Sequence, residues 1–474
     1  MSQQFDFAMI GLGVMGRNLL YNMADHGFAV VCFNKSAEKL KALEDGATPG
    51  TKVKGVTSLQ EMVNTLAIPR KIILLVPAGA PVDEVLGLLR PLLQKDDVII
   101  DGGNSHYTDT TRRMKEQAGF GFHFMGMGIS GGEEGARRGP SIMPGGDRSA
   151  YENVAPILKA IAAKVGDEAC VDYMGKGAAG HYVKMVHNGI EYAIMQILAE
   201  VYDILKRGKS FTNAELHELF ATWNKGDLQS FLMEITADVF LQKDDKGEGD
   251  LVDKILDVAG SKGTGKWTSQ SAMDMGVAIP VIDAAVSMRN ISGLKAERVT
   301  AAGLYTAVDH TIPTEKAKLV QEVHDALYSA IIICYAQGLA MLQKASTELE
   351  MEIPLQDAVK VWRAGCIIRS SMLAVFYTVC NNNPGITNIL LDGSIVELVK
   401  DKIIGLRSTI LSATTAGIPA MGLANALNYF DAFTTEKLPL NLTQSQRDFF
   451  GAHTYKRIDM DGVFHTQWVS SSAE

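Results

Sequence analysis

Apolar positions follow two different textures along this chain. Up to about residue 177, short apolar runs alternate with stretches of helical period. Phe5 to Ile10, Ala29 to Phe33, Ile72 to Val76 and Val98 to Asp101 read as strands, and Arg17 to His26 begins the helical stretches between them. Strand and helix in alternation predict a parallel sheet built from βαβ units. From about Gly177 the strand pattern stops, and long apolar helices separated by short polar turns run to about Asp431. Leu251 to Val258 reads as one of these helices, and Asp244 to Asp250 as an exposed loop. From Glu436 onward there is little periodicity, and the apolar residues there would be wasted in water. That predicts a tail docked on its own domain or on a partner.

The helix predicted from Gly180 to about Lys206 has no proline and one internal glycine, Gly189. Lys184, His187, Asn188 and Glu191 sit at i, i+3, i+4 and i+7, within an arc of roughly 100°. One face thus carries an amine, an imidazole, an amide and a carboxylate, while Val183, Met185, Val186, Ile190 and Ile194 serve burial. A solvated face with a Lys/Glu pair and a cleft holding a base and an acid both fit this pattern. An internal repeat bears on the choice. Val186-His187-Asn188-Gly189-Ile190 resembles Val323-His324-Asp325-Ala326-Leu327, and the spacing of Trp223 and Gly226 recurs at Trp362 and Gly365. In the second copy Gln321 replaces Lys184 and Tyr328 replaces Glu191. The same helix can be built without the ionisable pair, which weakens a purely structural reading of it.

Between the first strand and the first helix lies Gly11-Leu12-Gly13-Val14-Met15-Gly16. Strand, Gly-x-Gly-x-x-Gly and helix together form a dinucleotide fingerprint, with pyrophosphate expected at the helix N-terminus. The expected fold is therefore a Rossmann-type α/β domain over residues 1–177, a large all-α domain with a duplicated unit over 178–434, and a tail over 435–474. The second strand ends in Asn34-Lys35-Ser36, where an NAD site usually offers a carboxylate. A cation and a hydroxyl suit a 2′-phosphate, so NADP is favoured over NAD, although an exposed loop lysine would look the same. Two further loops stand at strand ends, Val76-Pro77-Ala78-Gly79 and Gly102-Gly103-Asn104-Ser105. The glycine-rich stretch from Ser130-Gly131-Gly132 to Gly146 suggests backbone amides close to a ligand, or an Ω-loop without one.

Gly260-Ser261-Lys262-Gly263-Thr264-Gly265-Lys266 has the spacing of a triphosphate loop. It fails as one, because Trp267 stands where a magnesium-binding hydroxyl belongs and no strand precedes it. It could still grip a single phosphate, and Arg289 could add a bidentate contact.

Composition narrows the class. The 474 residues are 47% hydrophobic and 21% charged, with net charge -9. No long basic run appears, which argues against nucleic acid. Cys32, Cys170, Cys334, Cys366 and Cys380 show no metal-ligand spacing and suit a reduced cytoplasmic protein, with no metal site expected. No signal peptide precedes the first strand, and Ala326 to Leu342, broken by Gln337, reads as a buried helix rather than a membrane span.

These motifs, in this order, resemble the 6-phosphogluconate dehydrogenase family, the decarboxylating enzymes of the pentose phosphate pathway. The resemblance rests on Gly11 to Leu19, Asp101 to Ser105, Ser130 to Ala136, Lys184-x-x-His187-Asn188-x-x-Glu191-Tyr192, Lys262 to Thr268 and Arg447 to His453. It implies oxidation of 6-phosphogluconate by NADP to ribulose 5-phosphate, CO2 and NADPH, without metal. By resemblance Lys184 is the base and Glu191 the acid. Asn104, Ser130, Gly131, Gly132, His187 and Asn188 would hold the sugar acid. Tyr192, Lys262, Arg289 and Arg447 would take the phosphate with His453 beside them, and Arg447 and His453 would come from the other subunit of a homodimer. Residues 11–16, 34–36, 76–78 and Asn104 would hold the cofactor. Three positions depart from the family pattern: Lys35 replaces a usual arginine, Pro77 a common lysine and His106 a common glutamate. They bear on cofactor preference rather than on reaction type. Two rivals remain: a β-hydroxyacid dehydrogenase that does not decarboxylate, and a non-catalytic NADPH sensor.

Overall fold

The computed structural model describes residues 4–305 and 308–468. The chain forms two compact units, residues 1–426 and 427–474. The first begins with β1 (Phe7–Ile10), α1 (Val14–Asp25), β2 (Val30–Phe33), α2 (Ala37–Asp45), β3 (Val53–Val56), α3 (Leu59–Thr65), β4 (Lys71–Leu74) and α4 (Ala80–Leu89). Next come β5 (Val98–Asp101), α5 (Tyr107–Gln117), β6 (His123–Ser130), α6 (Gly132–Arg138), β7 (Ser141–Gly145), α7 (Arg148–Ile161) and a small ribbon of β8 (Lys164–Val165) and β9 (Glu168–Ala169). The large sheet has the order β3-β2-β1-β4-β5-β6-β7, parallel except for the β6–β7 pair. The first five strands are four residues each and mostly apolar, as expected of strands covered on both faces.

Alternation along the strands assigns the two faces. Phe7, Met9, Ile73 and Ile100 join α1 and α7 in one core, while Ala8, Ile10, Ile72 and Ile99 join α3 and α4 in the other. On β6 the large residues Met125, Met127 and Ile129 all enter the first core. Gly126 and Gly128 point the other way, and there the first long helix lies almost on the backbone.

That helix is α8 (Ala179–Lys209), 31 residues long. A Cβ on Gly128 would stand 2.3 Å from Lys184 Cβ, one on Gly126 would stand 2.7 Å from His181 Nδ1, and one on Gly180 would stand 2.3 Å from the Gly126 carbonyl oxygen. Missing side chains on both elements therefore set the distance between sheet and helix. Lys206, Arg207 and Lys209 fill the last turn of α8, where cations suit the helix dipole.

The remaining helices are α9 (Asn213–Trp223), α10 (Phe231–Val239), α11 (Thr264–Asp274), α12 (Pro280–Gly293), α13 (Lys295–Leu304), α14 (Lys316–Glu348), α15 (Leu355–Trp362), α16 (Leu373–Asn382), α17 (Gly393–Val399), α18 (Ile403–Thr415) and α19 (Met421–Phe433). The repeat is visible in three dimensions. A long helix, α8 or α14, is followed by a shorter one, α9 or α15, that ends in Trp223 or Trp362. Each tryptophan packs on the histidine of the other copy: Trp362 lies 5.9 Å from His187, and Trp223 lies 5.6 Å from His324. The copies are interlocked rather than stacked. α14 alone among the described helices is long and apolar enough to cross a membrane, and 89% of its apolar window is buried inside the protein.

Two sequence expectations change. Leu251 to Val258 is not a helix: only a single 3-10 turn, Leu251–Asp253, forms before α11. Ile255 and Leu256 are exposed, so no apolar face is buried to stabilise so short a helix. In the second unit, the segment expected to lack regular structure contains α20 (Leu440–Gly451). Its periodicity was not legible because Leu442, Phe449 and Phe450 are exposed and the residue it buries is a carboxylate, Asp448. Asp448 accepts from the amides of Thr454 and Thr466, from the Trp468 indole and from His465. Charge-assisted bonds to this one buried carboxylate tie together the described residues of the unit.

Candidate active site

A cavity of about 590 Å³ opens at the carboxyl ends of β1, β4 and β5, where an α/β sheet places its ligands. It is lined by Gly11 to Gly16, Asn34, Lys39, Leu75 to Ala78, Gly102 to Asn104 and Ile129. Gly11 has φ +113°, and a Cβ there would meet the Leu75 carbonyl oxygen at 2.3 Å. Only glycine lets β1 turn so tightly into α1. Gly13 caps α1 with no side-chain bond, and a Cβ on it would meet nothing within 4 Å. Free helix N–H groups thus face open space, as a pyrophosphate requires. The residues fit a dinucleotide.

At the adenosine end the structure refines the sequence reading. Lys39, on α2, lines the cavity beside Asn34. Ser36 spends its oxygen capping α2 through the Lys39 amide, its own amide donates to Asn34 Oδ1, and Lys35 is exposed. Lys39 went unnoticed in the sequence because it lies one helical turn beyond the expected strand end.

A buried charge network shapes the loops on either side of this cavity. Arg113, fully buried on α5, donates to Asp83 at 2.8 Å and to the Gly79 carbonyl at 2.9 Å. Asp101 accepts from Ser105 Oγ at 2.6 Å and from the Gly103 amide at 3.0 Å, and Arg113 stands 3.5 Å away. The loop carrying Asn104 and the loop carrying Pro77 and Ala78 are therefore tied to one guanidinium. His106, which departs from the family pattern, caps α5 by accepting from the Thr108 amide.

Asn104 also borders a second, small gap of about 10 Å³, shared with Ser105, His181, Lys184, Asn188, Thr264 and Trp267. Here the predicted face of α8 is assembled. Lys184 Nζ is 3.3 Å from His187 Nδ1, which is 3.1 Å from Asn188 Oδ1 and 3.8 Å from Glu191 Oε2. Ser130 Oγ lies 3.2 Å from His187 Nε2, so the end of β6 and the middle of α8 meet on one ring. Gly131 follows at φ +124°, and a Cβ there would lie 2.5 Å from the Gly365 carbonyl oxygen. Gly132 then opens α6.

Beyond Glu191, Tyr192 packs against Gly265 of α11, and the Arg289 guanidinium lies 3.4 Å from the centre of the Tyr192 ring. Arg289 also donates to the Gly260 carbonyl at 3.1 Å, anchoring the turn that carries Lys262. The structure thus brings together Lys184, His187, Asn188, Glu191, Ser130 and Asn104, and next to them Tyr192, Arg289 and the Lys262 turn. Arg447 and His453 belong to the second unit. There Gln444 accepts from Arg447 and donates to the carbonyl of Thr454, the residue after His453.

Burial governs the charges. It pushes the Lys184 ammonium down to about 8, against the opposing pull of Glu191. It raises the Glu191 carboxyl above the ordinary range, against Lys184 and Arg289. His187 is held well below the usual imidazole value, first by burial and then by Lys184. A lysine shifted toward neutrality beside a carboxyl shifted toward protonation is the pairing that proton transfer needs. Sequence reading missed His181, which is buried with Nδ1 2.7 Å from Thr110 Oγ1, and gave Trp362 only as a mark of the repeat, not as the wall behind His187. Among the described residues no group of three or more His, Cys, Asp or Glu is placed to hold a metal. All five cysteines are buried and unpaired.

Known proteins share this architecture from end to end. Residues 6–175 match the model for the NAD binding domain of 6-phosphogluconate dehydrogenase, and residues 180–468 match its C-terminal domain. The NADP(+)-dependent, decarboxylating 6-phosphogluconate dehydrogenase of Bacillus subtilis is 48% identical over 470 residues, covering 99% of this chain and 100% of the relative. A decarboxylating 6-phosphogluconate dehydrogenase of Spinacia oleracea is 46% identical over 97% of each chain. The solved Plasmodium falciparum 6-phosphogluconate dehydrogenase, studied as apo protein, with its cofactor NADP+ and with its substrate 6-phosphogluconate, superposes with TM-score 0.95. It shows 42% identity, covering 98% of this chain and 100% of that one. Matched over its whole length by sequence and by fold, the chain belongs to the 6-phosphogluconate dehydrogenase family.

Proposed function

We propose that this chain oxidises and decarboxylates 6-phosphogluconate with NADP, yielding ribulose 5-phosphate, CO2 and NADPH. The observation that carries the reading is the single face of α8, where a buried lysine and a carboxyl both approach one imidazole, at a gap that shares Asn104 with the dinucleotide cavity. Residues 11–16, 76–78, Asn34 and Asn104 hold NADP, which when bound accepts hydride from carbon 3. Lys35, Ser36 and Lys39 favour its 2′-phosphate.

Lys184 takes the 3-hydroxyl proton, which requires a neutral amine. Its burial against Gly128 of β6 lowers the cost of neutrality. The resulting 3-keto acid loses CO2, and Lys184 returns the proton to the oxygen on carbon 3 as the enediol forms. Glu191, its carboxyl shifted by burial toward the protonated form, delivers a proton to the carbon that lost CO2. Asn104, Ser130, Gly131, Gly132, His187 and Asn188 orient the sugar acid. Tyr192, Lys262 and Arg289 hold the phosphate. Arg447 and His453 join them from a second subunit of a homodimer, which gives the second unit its purpose. The division into a nucleotide domain (1–177), a helical domain (178–434) and a tail (435–474), and a cytoplasmic location, complete the proposal.

Incubation with 6-phosphogluconate and NADP, without added metal, tests it by absorbance of NADPH and capture of CO2. Equal amounts of both products support the reading. NADPH without CO2 would assign the chain to a non-decarboxylating oxidation. Tight NADPH binding without turnover would make it a sensor.

A further inference from the structure

The proton inventory of this reaction leaves a step without an agent, and the geometry of α8 supplies one. Each turnover starts with Lys184 as a free amine and Glu191 as a carboxylic acid. The 3-hydroxyl proton passes to Lys184 as hydride leaves carbon 3. The bond from carbon 1 to carbon 2 breaks, CO2 departs, and its electron pair forms the enediol double bond while Lys184 protonates the oxygen on carbon 3. Glu191 then protonates carbon 2, the terminal carbon of the product, and the enediol proton goes back to Lys184 as the carbonyl forms. The cycle ends with an ammonium and a carboxylate. No proton has been gained or lost overall, so one must travel from Lys184 to Glu191 before the next turnover.

Among the described residues these two groups form no ion pair with each other. His187 Nδ1 stands between them, 3.3 Å from Lys184 Nζ and 3.8 Å from Glu191 Oε2. Its other nitrogen faces Ser130 Oγ at 3.2 Å. With Nε2–H donated to Ser130, the Nδ1 lone pair faces Lys184 Nζ, and Asn188 Oδ1, 3.1 Å away, accepts from Nδ1 while it carries the proton. The ring is fully buried and held edge-on by Trp362, 5.9 Å away, so it cannot exchange protons with bulk water at each turnover. We propose that His187 Nδ1 carries the proton from Lys184 to Glu191 and so resets the enzyme after each turnover, in addition to any contact it makes with the sugar acid.

The electrostatics agree with this geometry. In water the donor and acceptor differ widely in proton affinity. Here burial lowers the lysine and raises the carboxyl, which narrows the gap from both ends. Burial also disfavours the imidazolium, so the proton passes through His187 without resting there. The 3.8 Å approach to Glu191 is too long for a hydrogen bond and must shorten when substrate binds, as catalytic contacts commonly do. In the second copy of the repeat His324 remains, but Gln321 and Tyr328 replace the two ends of the path.

The inference rests on the assignment of Lys184 and Glu191 as base and acid, and the test separates the two. Stopped-flow NADPH formation is followed through the first and later turnovers for the wild type, His187→Gln and Ser130→Ala. Ser130→Ala removes one oxygen and frees the ring to take the Nδ1–H tautomer, which blocks the same path. If His187 resets the pair, the ratio of first-turnover to steady-state rate rises at least about tenfold over wild type in a folded variant, in line with the usual yield of a positioned acid–base group. In His187→Ala, where the space of the ring is vacated, added imidazole restores the steady state without changing the first turnover. A proportional fall of both phases, or indifference to imidazole, overturns the proposal. A wild type that forms no NADPH overturns the functional reading instead.

Discussion

Gly128→Ala adds one methyl group to β6 and tests whether the sheet sets the position of the base. The new Cβ would stand 2.3 Å from Lys184 Cβ, 2.9 Å from its Cγ and 3.1 Å from the Gly180 carbonyl oxygen. Carbon atoms settle at about 3.5–4.0 Å, so strand and lysine must part by roughly 1.2 Å or more. Recoil of α8 away from the sheet is opposed where Gly189 lies against Thr268 of α11, a Cβ there standing 2.7 Å from the threonine methyl. Overpacking of this kind costs about 1–3 kcal/mol of stability. A catalytic group displaced by about 1 Å loses on the order of 10²-fold in rate. The expected result is a kcat about a hundredfold lower, a KM for NADP unchanged, and a modestly lower Tm. Gly87→Ala serves as control, since a Cβ on that exposed position of α4 meets nothing within 4 Å. A Gly128→Ala enzyme within about threefold of wild-type kcat would refute the claim that β6 positions Lys184.

Three further outcomes follow from the site. Lys184 titrates near 8 when folded and at 10.5 when free. Below 8 both states are protonated and the folded state carries a strained ammonium. Between 8 and 10.5 the unfolded chain binds more protons, so stability rises with pH there. Lys184→Met should therefore be more stable than wild type at pH 7 by up to about 3 kcal/mol, with the difference shrinking toward pH 10.5. Denaturant titrations at pH 7 and 10 check this, and a destabilised Met variant would contradict it. Arg289→Lys keeps the charge but loses the fork that grips Gly260 and the stacking on Tyr192. Its KM for 6-phosphogluconate should rise about tenfold or more with KM for NADP unmoved, and a parallel rise in both would show that Arg289 acts only through the fold. Lys35→Ala and Lys39→Ala should each raise KM for NADP several-fold, roughly, and narrow the preference over NAD. Lys39→Ala with unchanged cofactor kinetics would restore the sequence-based view that Lys35 and Ser36 recognise the 2′-phosphate.

Some of this was legible because the signal is local. The fingerprint at Gly11 to Gly16 needs only a strand before it and a helix after it, and both formed. The arc of Lys184, His187, Asn188 and Glu191 follows from helical spacing alone. The paired Trp223 and Trp362 pointed to a repeat, but not to the exchange by which each shields the other copy's histidine. What stayed hidden depends on which element lands on which. Met125-Gly126-Met127-Gly128-Ile129 alternates large and absent side chains, a period-two signal that a helix will press on one face. Its partner, Gly180, could be identified only once α8 was in place. Lys39 and His181 reach their cavities through tertiary packing. α20 escaped notice because its apolar residues face outward and a carboxylate organises it.

If Lys184 is the base of a decarboxylating oxidation of 6-phosphogluconate by NADP, its removal stops both products without loosening the cofactor. The most direct measurement is NADPH and CO2 formation by wild type and Lys184→Met, with NADP affinity measured in parallel and NAD as the alternative cofactor. Equal release of both products with NADP, turnover lost by about 10²-fold or more in the variant, and unchanged NADP affinity are the expected results. Turnover retained by Lys184→Met would contradict that role, whatever the fate of the fold.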